Sequence, residues 1–137
     1  MNKIIQLCAG GTWKGKTPSS RIAAYEEVLG FRFPEDYRNF LESMGSGHKN
    51  GIEIAGIDPN LSSDFNVVCR TVLQKRGYRY FPQDVIFFSD TGDGGQLYLN
   101  PKTGQVGEVF AAPPKGITDR IVAGSFLEFL EKSFGEN

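Results

Sequence analysis

The residues of this 137-residue chain that could do chemistry are few, and their spacing argues against most mechanisms. There is one histidine, His48, in the loop Gly47-His48-Lys49-Asn50. A Ser–His or Cys–His mechanism would have to use it. Neither Cys8 nor Cys69 sits in a motif that argues for activation, and Ser46 is too near in sequence to argue a triad. One histidine and two distant cysteines do not make the usual four-ligand zinc site. The run Asp90-Thr91-Gly92-Asp93-Gly94-Gly95 is similar to a calcium loop, with spaced carboxylates and glycines that permit a sharp bend. It lacks a third acid within the loop and a bidentate glutamate at the required spacing. No Lys-Ser/Thr pair opens a helix after it, so it does not fit a phosphate cradle either. It reads as a tight glycine turn between strands. The sixteen acids offer many carboxylate pairs, and none is singled out for hydrolysis. The chain is therefore expected to be a non-enzyme without a cofactor.

Recognition is better represented than catalysis. Arg76-Gly77-Tyr78-Arg79-Tyr80-Phe81-Pro82 crowds aromatics and arginines into one connection, and these residue types combine large contact area with a polar handle. Tyr80 and Phe81 are expected to turn inward, which leaves Tyr78 and Arg79 as candidate interface anchors. The charge is uneven. Lys3, Lys14, Lys16 and Arg21 open the chain without an acid, and Arg70, Lys75, Arg76 and Arg79 form a second basic stretch. Asp84, Asp90, Asp93 and Glu108 make the central strands acidic, opposed only by Lys102. Most of this is ordinary solvated surface. The functional alternative is an acidic face meeting a basic partner, placed among Asp58, Asp64, Asp84, Asp90 and Asp93.

Composition bounds the rest. At 39% hydrophobic and 23% charged, the chain reads as one globular domain, residues 1–137, long enough to bury a core. A net charge of −1 gives no bulk drive toward nucleic acid or an anionic membrane surface. Two cysteines make no disulfide framework and read as small buried hydrophobes in a reducing compartment. The start, Met1 to Gly10, does not fit a lipoprotein signal: its apolar run is short, Gln6 interrupts it, and the small residues follow Cys8. No stretch approaches the roughly 20 apolar residues of a membrane span. A cytoplasmic protein is expected, as a monomer or weak homodimer.

The elements that must position these residues are punctuated clearly. Lys3 to Leu7 reads as a short helix, and Gly10 to Lys16 as a loop carrying Trp13. Thr17 can cap a helix with Pro18 in its opening turn and Ile22, Tyr25, Val28 and Leu29 as its buried stripe. Gly30 suits the left-handed residue past that helix. Pro34, Glu35 and Asp36 suit the start of the next, in which Tyr37, Phe40, Leu41 and Met44 recur at i, i+3, i+4, i+7. Ser46 to Asn50 reads as a loop and Ile52 to Ala55 as a strand. Asp64 can cap a third helix running to about Arg76, with Val67, Val68, Thr71 and Val72 on one face. Val85 to Phe88, four consecutive apolar residues, reads as a central strand covered on both faces. Gln96 to Leu99 and Val106 to Phe110 are strands joined by the turn Asn100-Pro101-Lys102-Thr103-Gly104. Ser125 and Glu128 form a capping box before the apolar face of Phe126, Phe129, Leu130 and Phe134. Together these predict an α+β domain: a mostly antiparallel mixed sheet flanked by N-terminal helices and a C-terminal helix.

The string from Glu26 to Leu41, E-x-x-L-G-x-x-F-P-x-D-Y-x-x-F-L, resembles the start of the SUKH superfamily. That superfamily takes in bacterial immunity proteins and the yeast cell-wall-assembly regulators. Gly51-Ile52-Glu53-Ile54, Pro82 to Phe88, the Asp90–Gly95 turn with Gln96 to Asn100, Thr103-Gly104-Gln105-Val106 and Ser125 to Leu130 continue the resemblance, so it covers about Thr17 to Phe134. One departure is Met44-Gly45-Ser46-Gly47, where many members carry Asn-Gly. The resemblance implies a binding protein, either an immunity protein or antitoxin that blocks a cognate polymorphic toxin, often a nuclease, or a cytoplasmic scaffold of the cell-wall-regulator type. With a net charge of −1, no direct contact with nucleic acid or membrane is expected.

Overall fold

The computed structural model describes residues 3–57, 66–77, 82–112 and 116–135. The chain runs α1 (Lys3–Cys8), β1 (Thr12–Trp13), α2 (Ser19–Leu29), α3 (Glu35–Ser43), β2 (Gly47–Lys49), β3 (Ile52–Ile54), α4 (Val67–Gly77), β4 (Ile86–Asp90), β5 (Gln96–Leu99), β6 (Val106–Ala112), β7 (Gly116–Ala123) and α5 (Phe126–Phe134). This is the expected α+β class. All ladders are antiparallel, in a three-stranded sheet of order β1-β2-β3 and a four-stranded sheet of order β4-β5-β6-β7.

The helix punctuation acts as its chemistry dictates. Gly30 takes φ +80° and its N–H reaches the Glu26 carbonyl at 2.9 Å, closing α2. Glu35 and Asp36 occupy the first turn of α3. Asp36 also reaches across the fold, accepting the Leu127 N–H at 2.9 Å. Ser125 accepts the Glu128 N–H at 3.0 Å. Two of the four orphan donors of α5 are thus satisfied, one locally and one by α3. Glu128 returns to the Gly124 N–H at 3.2 Å, one residue before the box expects.

Several local expectations are corrected. Thr17 does not cap α2; Pro18 stands at that position without a side-chain bond, and Thr17 is buried with its N–H on the Leu41 carbonyl at 3.0 Å. The segment entering α2 is held along α3, which removes Thr17 from capping geometry. Val28 is 71% exposed. The inward stripe of α2 is Ile22, Tyr25, Glu26 and Leu29, in which a carboxylate takes the place given to Val28. Asp64 lies outside the described residues; the donors at the start of α4 go to Asn66, whose Oδ1 accepts the Val68 and Cys69 N–H groups at 3.0 and 3.1 Å. The Ser46–Asn50 loop contains β2, which pairs Gly47 with Trp13 and with Ile54.

Most of the core lies between the helices and one face of the four-stranded sheet. Ile86, Phe88, Leu97, Leu99 and Val106 meet Tyr37, Phe40, Phe126, Phe129 and Leu130 there. Tyr37 is fully buried, with its ring 5.1 Å from Phe126 and 5.2 Å from Phe33. Its hydroxyl donates to the Ala55 carbonyl at 2.5 Å, so a buried polar group is matched. The alternate residues Phe87, Tyr98 and Val109 form a smaller cluster on the other face with Val85. Every residue from Val85 to Ser89 is buried, as a strand covered on both faces requires. β4 ends the order of its own sheet, but its outer edge is satisfied. Ala55 donates to the Phe88 carbonyl at 2.7 Å, Ser89 donates to the Glu53 carbonyl, and Thr71 Oγ1 accepts the Phe87 N–H at 3.0 Å. Side chains and β3 thereby close an edge open to strand addition.

Candidate binding surface

The glycine turn after β4 is built as a rigid knot. Asp90 accepts the Gly92 N–H at 3.0 Å through one carboxylate oxygen and Arg70 Nη2 at 2.7 Å through the other. Thr91 exchanges backbone and side-chain bonds with Gly95, at 3.0 Å from its N–H and 2.9 Å to its Oγ1, and its hydroxyl donates to Asp93. A Cβ at Gly95 would lie 2.6 Å from the Phe110 ring, so the glycine admits that ring against the turn. Asp90 is therefore committed to holding α4 against the sheet, while Asp93 is exposed at the tip.

Strand register then adds residues distant in sequence. Glu108 on β6 stands opposite Arg120 on β7 and accepts from its Nε at 2.9 Å. The Glu108 side chain is 14% exposed and that of Arg120 is 73% exposed, so the guanidinium is the solvated member. Asp93, Glu108, Phe110, Thr118, Asp119 and Arg120 border a shallow recess of about 360 Å³. Asp119 is next to Arg120 and so presents its side chain to the opposite face. There it accepts the Tyr98 hydroxyl at 2.6 Å. The Tyr98 ring crosses β6 directly over Gly107, where a Cβ would collide with it. Burial, with the Asp119 carboxylate beside it, pushes the Tyr98 hydroxyl well above the ordinary phenol range. Tyr98 is a fixed donor.

The structure thus brings Asp90 and Asp93 together and adds Glu108 and Phe110. Asp84 does not join them. It is exposed and precedes β4, whereas Asp90 ends it, and the strand alone rises roughly 13 Å between Ile86 and Asp90. Asp58, Asp64, Tyr78 and Arg79 lie outside the described residues. Sequence reading missed Asp119 and Arg120 because β7 was not recognised. Its faces, Ile117-Asp119-Ile121 and Thr118-Arg120-Val122, both mix apolar and polar, which hides the period-two signal. Its β-branched content was the signal available.

The other chemical candidates are dispersed. His48 is exposed on β2, opposite Thr12 and Glu53. Cys8 is fully buried, and burial pushes its thiol up to about 11, with nearby Lys49 opposing the shift, so no thiolate forms there at neutral pH. Among the described residues, no three His, Cys, Asp or Glu side chains are grouped to hold a metal ion. No helix among them is long and apolar enough to cross a membrane.

The SUKH family model described as SMI1-KNR4 cell-wall matches residues 1–135. The chain belongs to this family. Comparison with curated proteins finds no match. For this SUKH protein, the family string from Glu26 to Leu41 is the hinge between α2 and α3. Glu26 accepts the Phe33 N–H at 2.7 Å and Arg38 Nη1 at 2.5 Å, Gly30 ends one helix, and Tyr37 centres the aromatic core. The Glu26–Leu41 string is thus fold machinery, and the recess, with Asp93 and the Arg120 guanidinium exposed, lies at the sheet end outside it.

Proposed function

We propose that this SUKH-family protein is a non-enzymatic immunity protein that binds a cognate toxin, in the first instance a nuclease, and blocks its active site in the cytoplasm. The observation that carries this reading is the recess at the sheet end. There Asp93 projects from a rigid turn beside Glu108 and Phe110. Asp93 is the exposed carboxylate of the recess, beside an aromatic ring and the Glu108–Arg120 pair, and suits a lysine or arginine lining a nuclease's substrate groove. A preformed turn limits the ordering cost of binding, and local negative charge speeds encounter with a basic partner. Catalysis by the chain itself is not needed. The scaffold-or-regulator reading also has support, since the description of the matching family refers to the cell wall. It too uses a protein partner.

The test is co-expression with the product of the neighbouring gene, followed by calorimetry against a catalytically dead form of that product. One-to-one binding at about nanomolar Kd with suppressed toxicity is expected. Asp93→Lys combined with Glu108→Lys should weaken binding at least about a hundredfold, through slower association as well as faster dissociation. Unchanged affinity would remove the recess from consideration, and absence of binding would favour the regulator reading.

A further inference from the structure

The two ends of the four-stranded sheet are finished differently. The outer edge of β4 is bonded by Ala55, Ser89 and Thr71. β7 ends the other side of the order, with β6 on its inner side. Alternate residues of such a strand turn their N–H and C=O away from the sheet. Among the described residues, the one hydrogen bond to the β7 backbone from outside its ladder comes from Lys132, whose Nζ donates to the Val122 carbonyl at 2.9 Å. Thr118, Asp119, Arg120 and Ile121 are all exposed, although they alternate between the two faces of the sheet, and Ile121 is 52% exposed. Charged side chains on an edge strand ordinarily guard it against pairing. Here both are drawn back over the sheet, Asp119 by the Tyr98 hydroxyl at 2.6 Å and Arg120 by Glu108 at 2.9 Å. The backbone at the edge is left unguarded.

We propose that residues 116–121 take an extended segment of a partner protein as a fifth, antiparallel strand of this sheet. Charge selects the occupant. Asp119 and Arg120 are neighbours on opposite faces, and both side chains remain accessible. An antiparallel segment that reads acid then base lays its carboxylate beside Arg120 and its cation beside Asp119. A β-branched residue just before the acid then falls beside Ile121. A second copy of β7 does not supply this pattern. The two-fold axis of such a pair stands perpendicular to the sheet, so facing positions come from the same face of the strand and Asp119 never meets Arg120. Central registers instead set Asp119 against Asp119 or Arg120 against Arg120. Sliding one way brings in Val122, whose carbonyl Lys132 holds, and sliding the other shortens the pairing. The edge borders the recess, which Thr118 and Arg120 also line, but its use does not depend on the toxin reading.

The test uses two fluorescent peptides of about eight residues, rich in valine and threonine, one with Glu-Lys at its centre and the other with Lys-Glu. Anisotropy with the full chain should show the Glu-Lys peptide binding at least about fivefold tighter, because two cross-strand charge pairs change sign. Exchanging the charges in the chain, Asp119→Arg with Arg120→Asp, should reverse that preference, a gain that structural damage does not produce. Methylating the Glu-Lys peptide on alternate backbone nitrogens gives two further probes. The one whose methyl groups face β7 should lose binding, and the one whose methyl groups face away should keep it. Circular dichroism checks the folding of the exchanged variant; should it not fold, the methylated probes decide on the parent chain. No binding of the Glu-Lys peptide up to about 1 mM, equal binding of the two charge patterns, or methylated probes that behave alike overturns the proposal. A dimer of the full chain in ultracentrifugation that the peptide dissociates also overturns it, in favour of a second copy.

Discussion

Replacing Glu26 with alanine tests the reasoning about the family hinge most directly. The Glu26 side chain is 13% exposed, that of Arg38 is 31% exposed, and Phe33 is 5% exposed. Truncation leaves the part-buried Phe33 N–H without its carboxylate acceptor. Loss of a charge-assisted bond of this kind costs about 1.5–3 kcal/mol. The Arg38 pair adds under about 1 kcal/mol, because its partly exposed guanidinium can rehydrate. We therefore expect about 2–3 kcal/mol in total. An unfolding entropy of about 2.1 cal/mol/K per residue converts that to a fall in Tm of roughly 7–10 °C for a chain of this length. Glu26→Gln keeps an oxygen for Phe33 and loses the ion pair, so it should cost about half as much. Glu27→Ala, on the exposed side of the same helix, should stay within about 0.5 kcal/mol of the parent. Urea unfolding followed through Trp13 fluorescence reads all three, since this single tryptophan packs edge-on to Phe40 at 5.5 Å and Phe134 at 6.3 Å. If Glu26→Ala behaves like Glu27→Ala, the carboxylate does not hold the hinge and the argument fails. If Glu26→Gln is as damaging as the alanine change, charge rather than the Phe33 acceptor is what matters.

Other predictions are simpler. Gly107→Ala should destabilise by about 1–3 kcal/mol, because the Tyr98 ring occupies the space a methyl would need; a smaller effect in denaturant melts would show that the ring moves aside freely. Ser125→Ala should cost about 1 kcal/mol, while Ser125→Asp keeps the cap and should be near neutral; equal loss in both would argue against capping. Cys8 should resist a disulfide reagent at pH 8 until the protein unfolds, leaving Cys69 as the faster thiol. Because the folded Cys8 thiol is raised from 9.0 to about 11, the unfolded chain sheds that proton first. The associated stability is full below pH 9 and is lost as pH climbs through 11. Cys8→Ala should remove that part of the alkaline decline in urea midpoints.

The sequence by itself is decisive where a single residue's backbone chemistry sets the outcome. Gly30 and Gly104 adopt φ +80° and +78°, and Ser125 caps α5. The apolar i, i+3, i+4 stripe of α3 is buried in Tyr37, Phe40 and Leu41. These follow from steric and periodic constraints that operate within one turn of the chain. It failed where a residue's environment comes from a distant element. Glu26 displaced Val28 from the buried stripe because Arg38 and the Phe33 N–H were waiting for it. β7 carries no clean alternation because Asp119 answers Tyr98 on one face and Arg120 answers Glu108 on the other. The same limit applies to the proposed binding surfaces. That Asp90 is tied to Arg70 while Asp93 stands free of the helix beside Glu108 depends on how β4, β5, β6 and α4 pack. So does the open outer edge of β7, since the strand order that leaves it last is set by packing that local sequence cannot specify.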